Sequence, residues 1–192
     1  MTEPPINLTW TRLERLLQPI HESAQSTCRR LCRNNEEGDD LFQESVLRAY
    51  DRLSSLREES SFRSWFFVIL LRIHRDRSRR SFWQRFLPLE EVPAPPAVPG
   101  GGDFEEDYLR AKRLRLALGQ LPTEQREALV LFEMEGFSVS EIADLQSVSP
   151  SAIKSRLSRG RSRMRDCYER WNLIDVKQAD SSNTKDREHG HS

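Results

Sequence analysis

The run Val92–Gly102, VPAPPAVPGGG, constrains this 192-residue chain more than any other stretch. Its four prolines fix φ and remove four backbone donors, and the three consecutive glycines that follow hold no helix of their own. No regular element can pass through it. The chain therefore divides into two units joined by a spacer that is part stiff and part flexible. Hydrophobic residues make up 36% of the chain and charged ones 31%, enough for two small cores under a charge-rich surface. No segment alternates apolar and polar residues for long, so strands are not expected and both units read as all-α.

The formal net charge of +0 hides a segregation. Arg72, Arg75, Arg77, Arg79, Arg80 and Arg85 surround one acid, Asp76, while Lys154, Arg156, Arg159, Arg161, Arg163 and Arg165 form a second basic block. Glu90, Glu91, Asp103, Glu105, Glu106 and Asp107 lie between them. Either block alone could be a solvated helix face; two separated blocks are the footprint of a protein that binds a polyanion.

In the first unit, Leu13, Leu17, Ile20, Ala24, Cys28, Leu31 and Cys32 recur at helical spacing, predicting one helix from about Leu8 to Arg33. Asn34, Asn35 and Gly38 end it, and Asp39 or Asp40 can cap a second helix, Leu41 to Leu53. A third helix opens with Phe62, Trp65, Phe66 and Phe67 and ends in arginines. Its stripe Phe62, Phe66, Ile69 and Ile73 suits a core, whereas Trp65, Arg72, Asp76 and Arg79 share a neighbouring strip suited to stacking and phosphate contact. Arg72 and Asp76 are spaced to pair.

In the second unit, a helix is expected from Tyr108 to Gly119 and another from Glu124 to Glu135, capped by Thr123 and ended by Gly136. Ser138–Val139–Ser140–Glu141 fits a capping box, and Ser149–Pro150 starts a last helix a few residues after the previous one ends. That is helix-turn-helix spacing. On the last helix Ile153, Leu157, Gly160 and Met164 face inward. Ser151, Ser155, Ser158, Arg159 and Ser162 then face outward, flanked by Lys154, Arg161 and Arg165, a surface that a major groove accepts.

Other chemistries find little support. The apolar part of the third helix, Trp65–Leu71, is far short of the roughly 20 residues a bilayer needs. Pro4, Pro5, Glu3 and Glu14 interrupt any leader-like apolar run, and three scattered cysteines fit a reducing cytoplasm. His21, Cys28 and Cys32 lack a fourth ligand and lie on the apolar stripe, so packing explains them better than a metal. His189 and His191 lie in a polar tail without partners at fixed spacing. No phosphate-binding glycine loop, dinucleotide fingerprint or zinc-protease motif occurs, so neither enzymatic activity nor a cofactor is expected.

Two blocks carry a family resemblance. The first is Asp39–Tyr50 (DDLFQESVLRAY) with Phe62–Trp65 and Asp76–Arg80; the second is Leu121–Leu129 (LPTEQREAL) with Gly136–Ser138, Glu141–Ala143 and Ile153–Leu157. In this order and spacing they resemble regions 2 and 4 of the extracytoplasmic-function (ECF) group of bacterial sigma factors. Departures are Leu70 and Arg72 in the third helix and Gln146–Ser147 at the turn.

The resemblance implies a function. Asp40, Leu41, Gln43, Glu44, Leu47 and Arg48 would dock on core RNA polymerase. Ser61, Phe62, Trp65, Arg72, Arg75, Arg79 and Arg80 would open the −10 promoter element and hold a flipped base. Ser151, Lys154, Ser155, Arg156, Ser158, Arg159 and Arg161 would read the −35 element as duplex. The implied partners are core polymerase, promoter DNA and an anti-sigma factor, with no membrane insertion. The expected domains are 1–87 (region 2), 88–107 (linker), 108–171 (region 4) and a polar tail, 172–192, without regular structure. Two rival readings are a stand-alone helix-turn-helix regulator and a sigma mimic that sequesters an anti-sigma factor. The first leaves Asp39–Tyr50 and the aromatic helix without a purpose. The second does not need the basic faces.

Overall fold

The computed structural model describes residues 8–83 and 103–188, with side chains over 8–79 and 108–171. The Val92–Gly102 spacer, His189 and His191 lie outside the described residues. Among the described residues, eight α-helices and three short 3₁₀ turns make up the regular structure, and no strand occurs.

The expected first helix is two. Helix α1 is Leu8–Leu17, a 3₁₀ turn covers Gln18–Ile20, and α2 is His21–Leu31. Pro19 lacks the donor that a continuous helix would need. The apolar stripe survives the break: Leu13, Leu17, Ala24, Cys28 and Leu31 are all buried. Helix α3, Asn35–Arg52, starts well before Leu41, because the Asn34 side chain accepts from the Glu37 amide at 2.7 Å and does the capping expected of Asp39 or Asp40. Gly38, expected to break the chain, sits inside α3. A Cβ there would lie 2.5 Å from the Arg29 Cα, so α2 and α3 cross with their backbones in contact. Asp39 instead accepts from Arg29 Nε at 2.8 Å and Gln25 Nε2 at 3.0 Å, and the Arg29 hydrogen bond holds its carboxyl below the usual range.

The connection to the next helix forms two 3₁₀ turns, Leu53–Ser55 and Glu59–Ser61. Arg12 and Arg15 reach it from α1, at 2.9 and 2.8 Å from the Glu59 carboxylate. Helix α4, Phe62–Trp83, buries the predicted stripe Phe62, Phe66, Ile69 and Ile73. It also buries Phe67, Leu70, Leu71 and His74, a second face that the stripe did not foretell.

The second unit supplies the cover for that face. Its helices are α5 (Asp103–Gly119), α6 (Thr123–Glu133), α7 (Val139–Gln146) and α8 (Pro150–Glu188). Helix α5 begins within the expected linker. Helix α8 continues past Trp171 through the tail expected to lack regular structure, where no glycine or proline intervenes before Gly190. Thr123 is not the cap of α6; Pro122 holds that position without a side-chain bond. The capping box at α7 is complete: Ser138 Oγ accepts from the Glu141 amide at 3.2 Å and Glu141 Oε2 from the Ser138 amide at 2.8 Å. The turn after α7 places Ser147 in the left-handed region, φ 54°, where a β-carbon is disfavoured.

Within the described residues the two units share one hydrophobic core, in which the Phe67 ring meets the Phe137 ring edge-on at 5.1 Å. Free Cys28 and Cys167 are buried in apolar surroundings and Cys32 is half-buried, as packing residues would be. No cluster among the described residues could hold a metal ion. No helix among them is long and apolar enough to cross a membrane.

Candidate nucleic-acid interface

Helix α8 is seated by Ile153 and Leu157, both buried, and by Gly160, whose position leaves only 2.8 Å between a built Cβ and Leu129 Cδ1. Ser149 Oγ accepts from the Ala152 amide at 3.2 Å and fixes the start of the helix. This seating turns Ser151, Lys154, Ser158 and Arg159 to solvent, and among the described residues neither Lys154 nor Arg159 has a carboxylate partner. Ser155 and Arg156 are half-buried. Arg156 donates to Gln146 Oε1 of α7. Arg161 is exposed but engaged, donating to Glu133 at 2.7 Å with its guanidinium 5.4 Å above the Phe132 ring. Of the seven residues expected to read duplex DNA, four lie free on one face and two are tied to their own domain.

Helix α4 divides its candidates more sharply. Ser61, Arg72 and Arg79 are exposed, and Trp65 is half-buried with its ring 5.8 Å from that of Phe62. Phe62 cannot face DNA: it is 3% exposed and stacks on Phe66, so it supports Trp65 from beneath. Asp76 pairs with Arg79 rather than with Arg72. Arg75 turns inward and donates to Glu127 Oε2 of α6 at 2.7 and 2.8 Å. The Arg80 side chain lies outside the described residues.

On α3, Asp40, Gln43, Leu47 and Arg48 form an exposed strip, with Leu47 62% open to solvent. Leu41 is fully buried and belongs to the core, not to the docking face. Glu44 is half-buried, bound by Arg77 at 2.6 Å and lying 3.9 Å from Arg48. Gln43 and Leu47 also edge a groove of about 790 Å³ between α1 and α3, whose other wall includes Trp10 and Leu13. Trp10 is 45% exposed and was not singled out from sequence. An aromatic outside the apolar stripe of α1 was the available signal.

Sequence reading also missed Glu127 and Glu135, and marked Gln146 only as a departure at the turn. Glu127 has no exposed surface. It accepts from Arg75, faces His74 Nδ1 at 2.9 Å and accepts from Gln146 Nε2 at 3.2 Å. A buried carboxylate with these partners is satisfied, and removing its cationic partner Arg75 leaves a buried charge uncompensated, at about 3–5 kcal/mol. Glu135 accepts from Thr27 Oγ1 at 2.6 Å and from Arg63, whose guanidinium also lies 3.9 Å over the Phe137 ring. Arg126, half-buried, donates to three main-chain carbonyls: Leu31 at 2.6 Å, Gly119 at 3.0 Å and Leu121 at 3.2 Å. Two of those carbonyls end α2 and α5, where a cation complements the helix dipole.

Comparison with known families agrees with this geometry. Residues 16–84 match the model of sigma-70 region 2, and residues 111–164 that of sigma-70 region 4. The ECF RNA polymerase sigma factor SigM of Mycobacterium tuberculosis is 31% identical over 151 residues, 79% of this chain and 74% of the relative. The chain belongs to the ECF sigma factor family. EcfG of Rhodopseudomonas palustris, another ECF sigma factor, is 33% identical over 136 residues, 68% of this chain and 71% of the relative. Among solved structures, the sigma factor RpoE of Bartonella quintana, in complex with the anti-sigma factor NepR, aligns with a TM-score of 0.59 at 26% identity over 82% of this chain and 97% of RpoE. CnrH, in complex with the cytosolic domain of CnrY, shares the fold, with a TM-score of 0.62 at 22% identity over 83% and 89% of the two chains.

As a sigma factor the chain directs promoter-specific initiation by core RNA polymerase. The free serine, lysine and arginine face of α8 lies in the region 4 match, and Trp65 with the α4 arginines lies in the region 2 match.

Proposed function

We propose that residues 1–87 bind core polymerase and open the −10 element, that 88–107 link, and that 108–171 read the −35 element. The observation that carries this reading is the pairing of two basic faces on separate helices, open on α8 and partly engaged on α4, with an exposed docking strip on α3. Asp40, Gln43, Leu47 and Arg48 contact polymerase, and Glu44 orients the strip through Arg77. Ser151, Lys154, Ser158 and Arg159 enter the major groove, with Ser155 at its edge; Arg156 and Arg161 complete the set once released from Gln146 and Glu133.

Trp65 receives the flipped base on Phe62 as its support, while Ser61, Arg72, Arg75, Arg79 and Arg80 hold the strand. Extruding a base costs a few kcal/mol, and stacking on an aromatic recovers about 1–3. Melting is therefore confined to a weak step and requires polymerase contacts. It needs no nucleotide hydrolysis, so the factor is not an enzyme, and its site of action is the cytoplasm. An anti-sigma partner fits the same reading, as RpoE has in NepR.

Run-off transcription with core polymerase on genomic promoter fragments tests the proposal. The expected result is transcripts from a defined start that vanish when Lys154 and Arg159 are both alanine. Tight promoter binding without polymerase, and no transcript with it, would establish a stand-alone regulator instead.

A further inference from the structure

The two surfaces assigned to DNA are joined through one buried carboxylate. Arg75, from the −10 set, donates to Glu127. Gln146 bonds Glu127 through its Nε2 and receives Arg156, from the −35 set, on its Oε1. Glu127 is wholly buried and Gln146 nearly so, which shields the centre of this chain of contacts from water while Arg75 and Arg156 at its ends stay half-buried, and His74 closes its other side. The face of α4 bearing Arg72, Arg75 and Arg79 looks across a cavity of about 580 Å³ at Thr123, Leu145 and the Ser147 turn. A space of that size suits a small molecule and admits no DNA duplex. The same seam is fastened at its other end by Glu135 with Thr27 and Arg63, and between them by Arg126 on the Leu31 carbonyl.

We propose that Glu127 is an internal counter-ligand which keeps the free sigma factor closed, standing where phosphate stands in the promoter complex. This rests on the sigma reading above and adds a specific exchange to it. In the closed chain Glu127 and Gln146 occupy Arg75 and Arg156. In the open chain both arginines are released to the DNA backbone. Polymerase and DNA together supply the contacts that replace the seam, whereas DNA alone must compete with a desolvated carboxylate. The closed form thus limits promiscuous binding by a protein that carries two basic faces.

The test compares full-length wild type with Glu127→Gln, which places an amide N–H₂ against Arg75 or His74. Small-angle scattering reads the shape, and titration of a short mixed-sequence duplex across a range of salt reads the charge contacts. The expected outcome is a larger radius of gyration for Glu127→Gln and a steeper dependence of log affinity on log salt. Each released arginine adds about 0.9 to the slope, so two add about 1.8. An unchanged radius and slope overturn the proposal.

Glu135→Arg, set against Arg63, is the second variant. It opens the chain from the other end of the seam, and Arg63→Glu added to it restores compactness. If both single variants lose their helical circular dichroism at room temperature, the seam is an obligatory core and not a latch, and the proposal fails. Run-off transcription separates the two readings. An open variant that supports no transcript contradicts the sigma role alone, whereas a chain that transcribes and stays equally compact in every variant contradicts the latch alone.

Discussion

Helices α4 and α8 both carry a basic run, yet they use it in opposite ways. Helix α8 is seated along one narrow arc and leaves Lys154 and Arg159 in solvent, without a carboxylate partner among the described residues. Helix α4 is covered on two faces, and its arginines are mostly engaged: Arg75 by Glu127, Arg77 by Glu44, Arg79 by Asp76. A helix held on one side can present a reading surface continuously. A helix held on two sides must be uncovered first. The contrast separates a duplex-reading face that is mostly presented in the free chain, with Arg156 held back by Gln146, from a melting surface that works only after rearrangement.

The largest effect that would test this contrast is at the face of α4 turned to the second unit. Phe67→Ala removes a fully buried ring that meets both Phe66 and Phe137, and it is expected to cost about 3–5 kcal/mol in urea denaturation. A loss below about 1 kcal/mol would show that the second cover of α4 contributes nothing.

The glycines come next. Gly38→Ala drives a methyl into the Arg29 backbone, which cannot move aside, and should lower stability by about 1–3 kcal/mol. Gly160→Ala meets side-chain atoms alone, Leu129 Cδ1 at 2.8 Å and Cγ at 3.1 Å and Leu121 Cδ2 at 3.3 Å, which can shift by a few tenths of an ångström where a backbone cannot. A helix gain of up to about 1 kcal/mol offsets that contact, so thermal melting should stay near wild type. Equal penalties at the two sites would break the distinction between a backbone crossing and a side-chain seat.

On the free face of α8, Lys154→Ala and Arg159→Ala should leave stability within about 0.5 kcal/mol. Each should lower the salt slope of DNA binding by about 1 where it meets phosphate, or cost about 1–3 kcal/mol at one promoter position where it meets a base. Fluorescence anisotropy of the polymerase complex on promoter duplexes distinguishes these. The smallest effect is at the α7 cap. Bonding to Ser138 holds the Glu141 carboxyl below the ordinary glutamate range, so its contribution is present at neutral pH and is lost as pH falls through that lowered value. Ser138→Ala should cost about 1 kcal/mol and flatten the acid limb of the melting-temperature profile.

The second unit was the more legible in sequence because its signals are local. The capping box at Ser138, the positive φ of Gly136 and the Ser149–Pro150 start each involve neighbours within four residues. The first unit misled where a local rule met a distant partner. Gly38 reads as a breaker, yet it serves a close helix crossing that only the position of Arg29 explains. Leu41 and Phe62 lie inside motifs that carry function and were grouped with their exposed neighbours, although the helix phase turns both inward. Glu127 resembles any glutamate of an amphipathic helix. Nothing local marks it as buried, since the residues that make burial tolerable, His74 and Arg75, are more than 50 positions away.

Arg126 differs from the other fasteners of the seam in what it recognises. Glu127 and Glu135 depend on particular side chains opposite them, so a substitution on either side can end the contact. Arg126 grips the peptide carbonyls of Leu31, Gly119 and Leu121, which every amino acid supplies. Its acceptors cannot be mutated away. A chimera that joins this second unit to the first unit of a relative would therefore lose both carboxylate seams where the partners differ and keep the Arg126 clamp wherever the backbone path is preserved.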